Sequence, residues 1–421
     1  MKRSVVLISY SFNRGGAGIA ASKFKQLLAS NFSNYEILSI SQDDAGMLHF
    51  FKRLVAYAIS KFQFDGNPIK HSLNLFTYQP VLKSFKASSS CIHHLHWINN
   101  DTLSVLDFDK IPVGSIVTLH DEWMYCGAEH CYKITDKEYD FVKGYSFFKK
   151  GVFGIHWNYF IWILKRNKLC FRDDIIFTVP SKWMLERARS SFILKHADVR
   201  YLPNPIDTDV FVPRSTASEV ALRHACSINS TDFVICFGAV GGKRSYLKGS
   251  HLLDEALMRL STRLTSELKR DVKLIDFGGL VEEGFLHGFR SVSLGPIFDP
   301  NKLSLLYSSV DLVIVPSLVE SFGQIAAESL SCGTPVVCFN TSGLIDIVHH
   351  KETGMVAEAF DANSLAEQIE AMIELPSQAR KAMGQAGREH VIAHFSYSAV
   401  WGRYLKIIQD AEKLKNKRPE K

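Results

Sequence analysis

Apolar runs at 5–9, 37–40, 92–96, 116–120 and 175–179 alternate with longer amphipathic or irregular stretches, a rhythm that predicts βα units around a parallel sheet. It breaks at Leu202-Pro203-Asn204-Pro205-Ile206-Asp207-Thr208-Asp209-Val210-Phe211-Val212-Pro213. Three prolines in eleven residues forbid regular structure there and suit a hinge. A second series follows, with strands expected at 233–239, 272–277, 291–294, 311–315 and 335–339. Helices are expected at 249–262, 301–309, 322–331 and 363–374. The pattern divides the chain into two doubly wound α/β domains, 1–205 and 206–385. The helical stretches 379–394 and 399–414 place helices in 386–421, expected to pack back on the first domain. Ligands of such sheets bind beyond the carboxyl ends of the strands, so two facing domains would enclose one cleft.

Of the 421 residues 46% are apolar and 22% charged, which excludes a disordered chain, a disulfide miniprotein and a fibrous repeat. The net charge of +6 is uneven: residues 1–205 carry 26 Lys/Arg against 17 Asp/Glu, and the remainder 23 against 26. The first half therefore suits an acidic partner: nucleic acid, anionic lipid or a phosphorylated substrate. After Met1-Lys2-Arg3-Ser4, the apolar run Val5-Val6-Leu7-Ile8 is too short for a signal-peptide core or a membrane span, so a cytoplasmic protein is expected. Eight cysteines without paired Cys-x-x-Cys spacing fit reduced thiols, and the sequons at Asn31, Asn229 and Asn340 read as incidental.

The densest chemistry lies in Pro316-Ser-Leu-Val-Glu320-Ser321-Phe322-Gly323-Gln-Ile-Ala-Ala-Glu328-Ser-Leu-Ser-Cys-Gly333-Thr-Pro335, a strand end, a loop and a helix start. Amide groups at that helix start make an anion site, Glu320 can reach a neutral polyol, and Glu328, two turns on, can bind a ribose diol. Taken alone, the two acids also read as a first-turn carboxylate and a solvated helix Glu. Upstream, Phe237-Gly238-Ala-Val-Gly-Gly-Lys243-Arg244-Ser-Tyr-Leu-Lys248-Gly249 offers cations for a phosphate or merely a solvated loop. Asn13-Arg14-Gly15-Gly16-Ala17-Gly18 after the first strand permits close backbone approach to a phosphate, or a plain turn. Val117-Thr-Leu-His120-Asp121-Glu-Trp123 puts a histidine at a strand's carboxyl end, where it lines a cleft or caps the strand.

The 316–335 segment resembles the Glu-x7-Glu signature of the retaining GT-B glycosyltransferases grouped as family 4. Gly343-Leu-Ile-Asp-Ile-Val-His-His-Lys-Glu-Thr-Gly354 and Pro203-Asn-Pro-Ile-Asp207-Thr-Asp-Val-Phe211 are similar to its later segment and interdomain linker. Leu95-His96-Trp97-Ile-Asn99 with Leu119-His120-Asp121-Glu-Trp123 resembles a branch serving bacterial surface polysaccharides such as lipopolysaccharide, O-antigen and capsule. The resemblance implies a GT-B fold, two Rossmann-like domains facing each other across a cleft. It also implies a nucleotide-sugar donor, UDP- or GDP-linked, and transfer to a polysaccharide or lipid-linked acceptor. Carried over residue by residue, it makes Glu320, His120 and Lys248 catalytic. It gives the donor sugar to Glu320, the diphosphate to Ser321, Phe322 and Gly323, and the ribose to Glu328. Lys248 pairs with either Lys243 or Arg244 on the diphosphate, Gly16 and then Gly15 face it, and Pro296 and Ile297 read the base. Asp121 and His96 are acceptor-side candidates.

Retention by double displacement requires a carboxylate nucleophile, and no second acid presents itself in the sequence. The family's front-face route is therefore expected, without a cofactor or strictly required metal and without nucleic acid, with closure about 202–213 limiting donor hydrolysis. A GT-B nucleotide-sugar epimerase and a non-catalytic sugar-nucleotide-binding protein are the alternatives. Cys126, His130 and Cys131 lack a fourth zinc ligand, and Asp107-Phe-Asp109 and Asp207-Thr-Asp209 read as loop carboxylates. Two aromatic and basic stretches, from Phe50 to Phe64 and from Phe147 to Arg166, either lie peripherally on an anionic membrane or bury their rings beneath snorkelling Lys and Arg.

Overall fold

The computed structural model describes residues 3–32, 35–67, 69, 71–87, 91–132, 139–148, 153–238 and 246–417. It divides into two compact units, 1–204 with 401–421, and 205–400. The expected boundary at 205 thus falls one residue earlier. The separate segment 386–421 is corrected: residues up to 400 stay with the second unit, and only the chain from Trp401 belongs to the first.

In the first unit the chain runs through β1 (Arg3–Ser9), α1 (Gly15–Asn31), β2 (Tyr35–Ile40), α2 (Met47–Ser60), β3 (Gln63–Phe64), α3 (Gln79–Ala87) and β4 (Cys91–His96). It continues through β5 (Ile116–Thr118), α4 (Asp140–Lys143), β6 (Phe153–Gly154), α5 (Trp157–Leu169), β7 (Ile176–Val179), α6 (Lys182–Ser190) and β8 (Asp198–Tyr201). Six strands form one parallel sheet in the order β2-β1-β4-β5-β7-β8, and β3 pairs antiparallel with β6 in a separate ribbon. The central strands are buried on both faces, as a covered parallel sheet requires, and β4 carries His93, His94 and His96 within that buried run. β8 has a mixed pattern, and the sequence reading missed it.

The second unit carries α7 (Thr216–Ala225), β9 (Phe233–Gly238), α8 (Ser250–Arg263), α9 (Ser266–Asp271), β10 (Val272–Phe277), β11 (Val281–Leu286), β12 (Phe289–Leu294), α10 (Pro300–Ser308) and β13 (Leu312–Val315). Then come α11 (Gln324–Ser331), β14 (Val336–Phe339), β15 (Gly354–Ala357), α12 (Ala362–Glu374) and α13 (Ser377–Phe395). The sheet order is β11-β12-β10-β9-β13-β14-β15, parallel except for the edge strand β11. That strand is exposed along nearly its whole length, which removed the apolar signal that would have announced it.

Helix α14 (Tyr397–Lys417) starts in the second unit and lies in the first from Trp401 onward. There Tyr404 is fully buried, packed on Phe24 of α1 at 5.1 Å between ring centres.

Candidate functional site

In the second unit the sheet register brings Gly238, Phe277 and Val315 to the carboxyl ends of three neighbouring strands, β9, β10 and β13. β13 runs into Pro316 and then a loop that ends at Gly323, whose φ of +107° starts α11. A side chain there would meet Leu344 at 2.8 Å, so the turn requires glycine twice over. Gly249 is tighter still. Its φ is +66°, and an added Cβ would lie 1.8 Å from the Pro316 carbonyl oxygen. Only glycine lets the turn Tyr246–Lys248 pass so close to the β13 exit, where the Leu318 amide donates to the Leu247 carbonyl at 2.9 Å.

That approach places Lys248 Nζ 2.5 Å from Glu320 Oε1, which also accepts from Ser317 Oγ at 2.9 Å. The loop is fastened from its other side. The Glu320 amide donates to Ser342 Oγ at 2.9 Å, and the Gly343 amide donates to the Glu320 carbonyl at 2.8 Å. Ser317 and Lys248 line a cavity of about 290 Å³ together with Phe237, Gly238, Phe277 and Pro316. Its walls include His251, Asp254 and Asp276, none of which the sequence reading selected. Asp276 carried a legible signal, a carboxylate near the carboxyl end of an otherwise apolar strand. It accepts from Ser293 Oγ at 2.7 Å.

Glu328 is not a solvated helix acid. It is buried on α11, and its charge, second to burial itself, drives the Tyr307 phenol well above its ordinary range. Phe322 packs edge-on against Phe395 at 5.3 Å, so its ring belongs to the core. Ser321 is half-buried between them in the loop. Pro296 is exposed and Ile297 packs on the core after β12. Neither lines the cavity. Lys243 and Arg244 lie outside the described residues.

In the first unit the register sets His96 beside Thr118 on β5, and His120 follows two residues later, with its Nε2 3.0 Å from His96 Nδ1. His94 reaches Tyr404 Oη through Nδ1 at 2.6 Å and Thr118 Oγ1 through Nε2 at 2.7 Å. Thr118 in turn meets Thr178 at 2.6 Å. Burial lowers His120 to about 4 and His94 to about 3, and takes His96 well below its ordinary value. At neutral pH this row is uncharged, so His120 acts as a hydrogen-bonding imidazole rather than a cation.

The two acceptor-side candidates both sit in side-chain networks. His96 has no exposed surface, and its Nδ1 meets His120 Nε2. Asp121 accepts from Trp97 Nε1 and His130 Nδ1, each at 2.6 Å, and from the Trp123 amide at 3.0 Å. Burial would raise its carboxyl, but His130 and these donors together hold it below the usual range. Asp121 therefore ties a corner of the fold together. Gly15 and Gly16 are exposed at the start of α1, Gly15 with φ +71° and open space around it. The glycine that packing demands is Gly18, where a Cβ would lie 2.7 Å from the Ser11 carbonyl.

Sequence candidates for metal have other partners. His130 bonds Asp121 and Ser72, Asp107 accepts from Thr77 and Lys110, Asp109 from Lys168, and Asp207 from the amides of Asp209 and Val210. No group of acids, histidines or cysteines suited to a metal ion occurs among the described residues. All eight cysteines are free thiols.

Comparison with known proteins gives this geometry a context. Residues 294–390 match the family described as Glycosyl transferases group 1. D-inositol 3-phosphate glycosyltransferase of Segniliparus rotundus is 30% identical over 209 residues, covering 47% of this chain and 44% of that protein. The chain spans about half the length of the curated relatives it matches. These relatives carry that name rather than one from surface-polysaccharide synthesis. Among solved structures, sucrose-phosphate synthase from Thermosynechococcus elongatus aligns with a TM-score of 0.66 at 18% identity, over 98% of this chain and 99% of that one. The Anabaena protein HepE, in complex with UDP and glucose, aligns with a TM-score of 0.59 at 15% identity over 97% and 100%. The fold is the two-domain α/β architecture of GT-B, and the segment that carries Glu320 and Glu328 lies within the match to Glycosyl transferases group 1.

Proposed function

We propose that the chain is a glycosyltransferase that moves a sugar from a UDP- or GDP-sugar to a hydroxyl of a polysaccharide or lipid-linked acceptor, with retention at the anomeric carbon. The observation that carries this reading is the Lys248–Glu320 pair, joined through Gly249 at a cavity beyond the carboxyl ends of β9, β10 and β13. In this reading Lys248 neutralises charge that builds on the departing diphosphate, aided by the amides at the start of α11. Glu320 holds the lysine in place and receives hydroxyls of the donor sugar, and Glu328 binds the ribose. The leaving diphosphate oxygen takes the proton of the attacking hydroxyl on the same face, so no step passes through a cofactor or metal. HepE, solved with UDP and glucose, supports a nucleotide-sugar partner. The exposed aromatic face of the first unit supports a membrane-resident acceptor met by peripheral contact, rather than a small soluble phosphate ester.

The test is a thermal-shift panel of nucleotide sugars with and without magnesium, paired with transfer assays. Saturating donor at a hundredfold excess over Kd should stabilise the protein by about 2.7 kcal/mol. Lys248→Ala should lose that shift and, by analogy with deletion of an electrostatic donor, about 2–4 kcal/mol of transition-state stabilisation. Glu320→Ala should keep the nucleotide shift and lose transfer. Equal loss of both in Glu320→Ala removes its sugar-facing role, and donor conversion without acceptor points to an epimerase.

A further inference from the structure

Two stretches of the first unit, separated by about ninety residues of sequence, come together in one surface. Helix α2 buries only His49 and Ala56, leaving Phe51, Leu54 and Val55 exposed. Its continuation enters the β3–β6 ribbon, where Phe64 faces Phe153, both exposed. The junction is built, not incidental. The Ile155 amide donates to the Phe62 carbonyl at 2.9 Å, Trp157 Nε1 donates to the Ile59 carbonyl at 2.9 Å, and a Cβ on Gly154 would strike the Phe62 carbonyl oxygen at 2.1 Å. From Trp157 the surface passes to Phe160 at 6.2 Å, then to Phe147 at 5.9 Å, and ends on Phe148, which is 87% exposed.

Charge along these stretches has one sign. No acid occurs between Asp44 and Asp65, where Lys52, Arg53 and Lys61 lie, and none between Asp140 and Asp173, where there are seven Lys/Arg. Some of these cations serve the fold. Lys165 is fully buried and donates to the Trp123 and Gly127 carbonyls, and Arg53 lies over the Tyr10 ring at 5.0 Å. Lys61 stays at the surface, 4.8 Å from the Tyr57 ring centre. Exposed phenylalanines beside lysines match the boundary between headgroups and acyl chains, and Asp65, next to Phe64, is engaged by Gln63 Nε2 at 2.8 Å. Among the described residues no helix is long and apolar enough to cross a membrane.

We infer that α2, the β3–β6 ribbon and the start of α5 form a docking face for an anionic lipid bilayer. This deepens the membrane-resident acceptor reading of the proposed transferase. The face lies flat on the leaflet, its rings entering the acyl boundary and its lysines meeting phosphate headgroups.

The test is sedimentation of the full chain with phosphatidylcholine vesicles, alone or containing phosphatidylglycerol, at low and high salt. Binding should require phosphatidylglycerol and weaken with salt. Lys52→Glu with Lys61→Glu should lower partition about tenfold. Phe51→Ser, Leu54→Ser and Phe153→Ser combined should lower it at least as far with an unchanged melting temperature, since all three side chains are exposed. Equal binding to neutral vesicles, or full binding by both variants, overturns the inference. So does conversion of a soluble oligomer to monomer by the serine variant, which would make the face a protein interface. A UDP thermal shift on the same samples separates the two readings. A chain that binds UDP but no vesicles loses only the docking face, whereas one that binds vesicles but no UDP or GDP loses the transferase reading.

Discussion

In the first unit four histidines sit within the sheet or at its carboxyl edge, with burial lowering His93 to about 4, while phenylalanines of α2 and the β3–β6 ribbon face outward. In the second unit the sheet core is apolar, and Lys248, which lines a cavity, pairs with Glu320. The first unit covers these histidines and exposes the rings of α2 and the ribbon, whereas the second leaves its Lys248–Glu320 pair partly open to solvent. The difference teaches where each unit's specificity is stored. Side-chain packing sets the histidine row, whereas backbone contacts that only glycine allows set the Lys248–Glu320 pair.

The largest expected effect breaks the second half of that comparison. Gly249→Val combines a left-handed backbone with a collision against Pro316 and should cost about 4 kcal/mol or more, together with donor binding, by thermal melting and nucleotide titration. A variant that melts normally and binds donor would show that the pair does not depend on this approach.

Next comes acid titration of the first unit. The folded pKa of His93 lies below its unfolded value, so the unfolded chain takes up protons first as pH falls. Stability should therefore drop from about pH 6.5, by about 3 kcal/mol for His93 alone by pH 4, with His120 adding over the same window and His94 extending the drop to about pH 3. All six tryptophans lie in the first unit, so their fluorescence during urea unfolding reports it selectively. A flat profile across that window would mean the row is not held neutral.

The smallest effect sharpens the first half. Tyr404→Phe removes the hydrogen bond to His94 and should cost about 1 kcal/mol in the tryptophan signal, leaving nucleotide binding unchanged.

Much of this architecture was legible. Strands such as β1, β9 and β13 declare themselves as apolar runs because parallel strands covered on both faces need no polar positions. β11 and β15 were not legible, the first because it is exposed and the second because it is short and begins with Gly354. In the site, Glu320 and Lys248 were named from motif spacing, but their contact depends on Gly249 passing Pro316, a relation between residues 67 apart that no local pattern contains. The partners of Asp121 were hidden for a similar reason. A polar residue after a strand suggests a ligand contact, while its actual partners, Trp97 and His130, are fixed only by the tertiary fold. The aromatic stretches divide by burial: Trp162 and Lys165 are buried, whereas Phe51, Phe148 and Phe153 are exposed.

The last helix has a consequence for the order of events during synthesis. The first unit includes residues from Trp401 onward, among them the Tyr404 hydroxyl that His94 needs. The second unit is one continuous stretch, 205–400, and can collapse as it leaves the ribosome. The half that is translated first must wait, its sheet uncovered at His94, until the codons from Trp401 onward have been read.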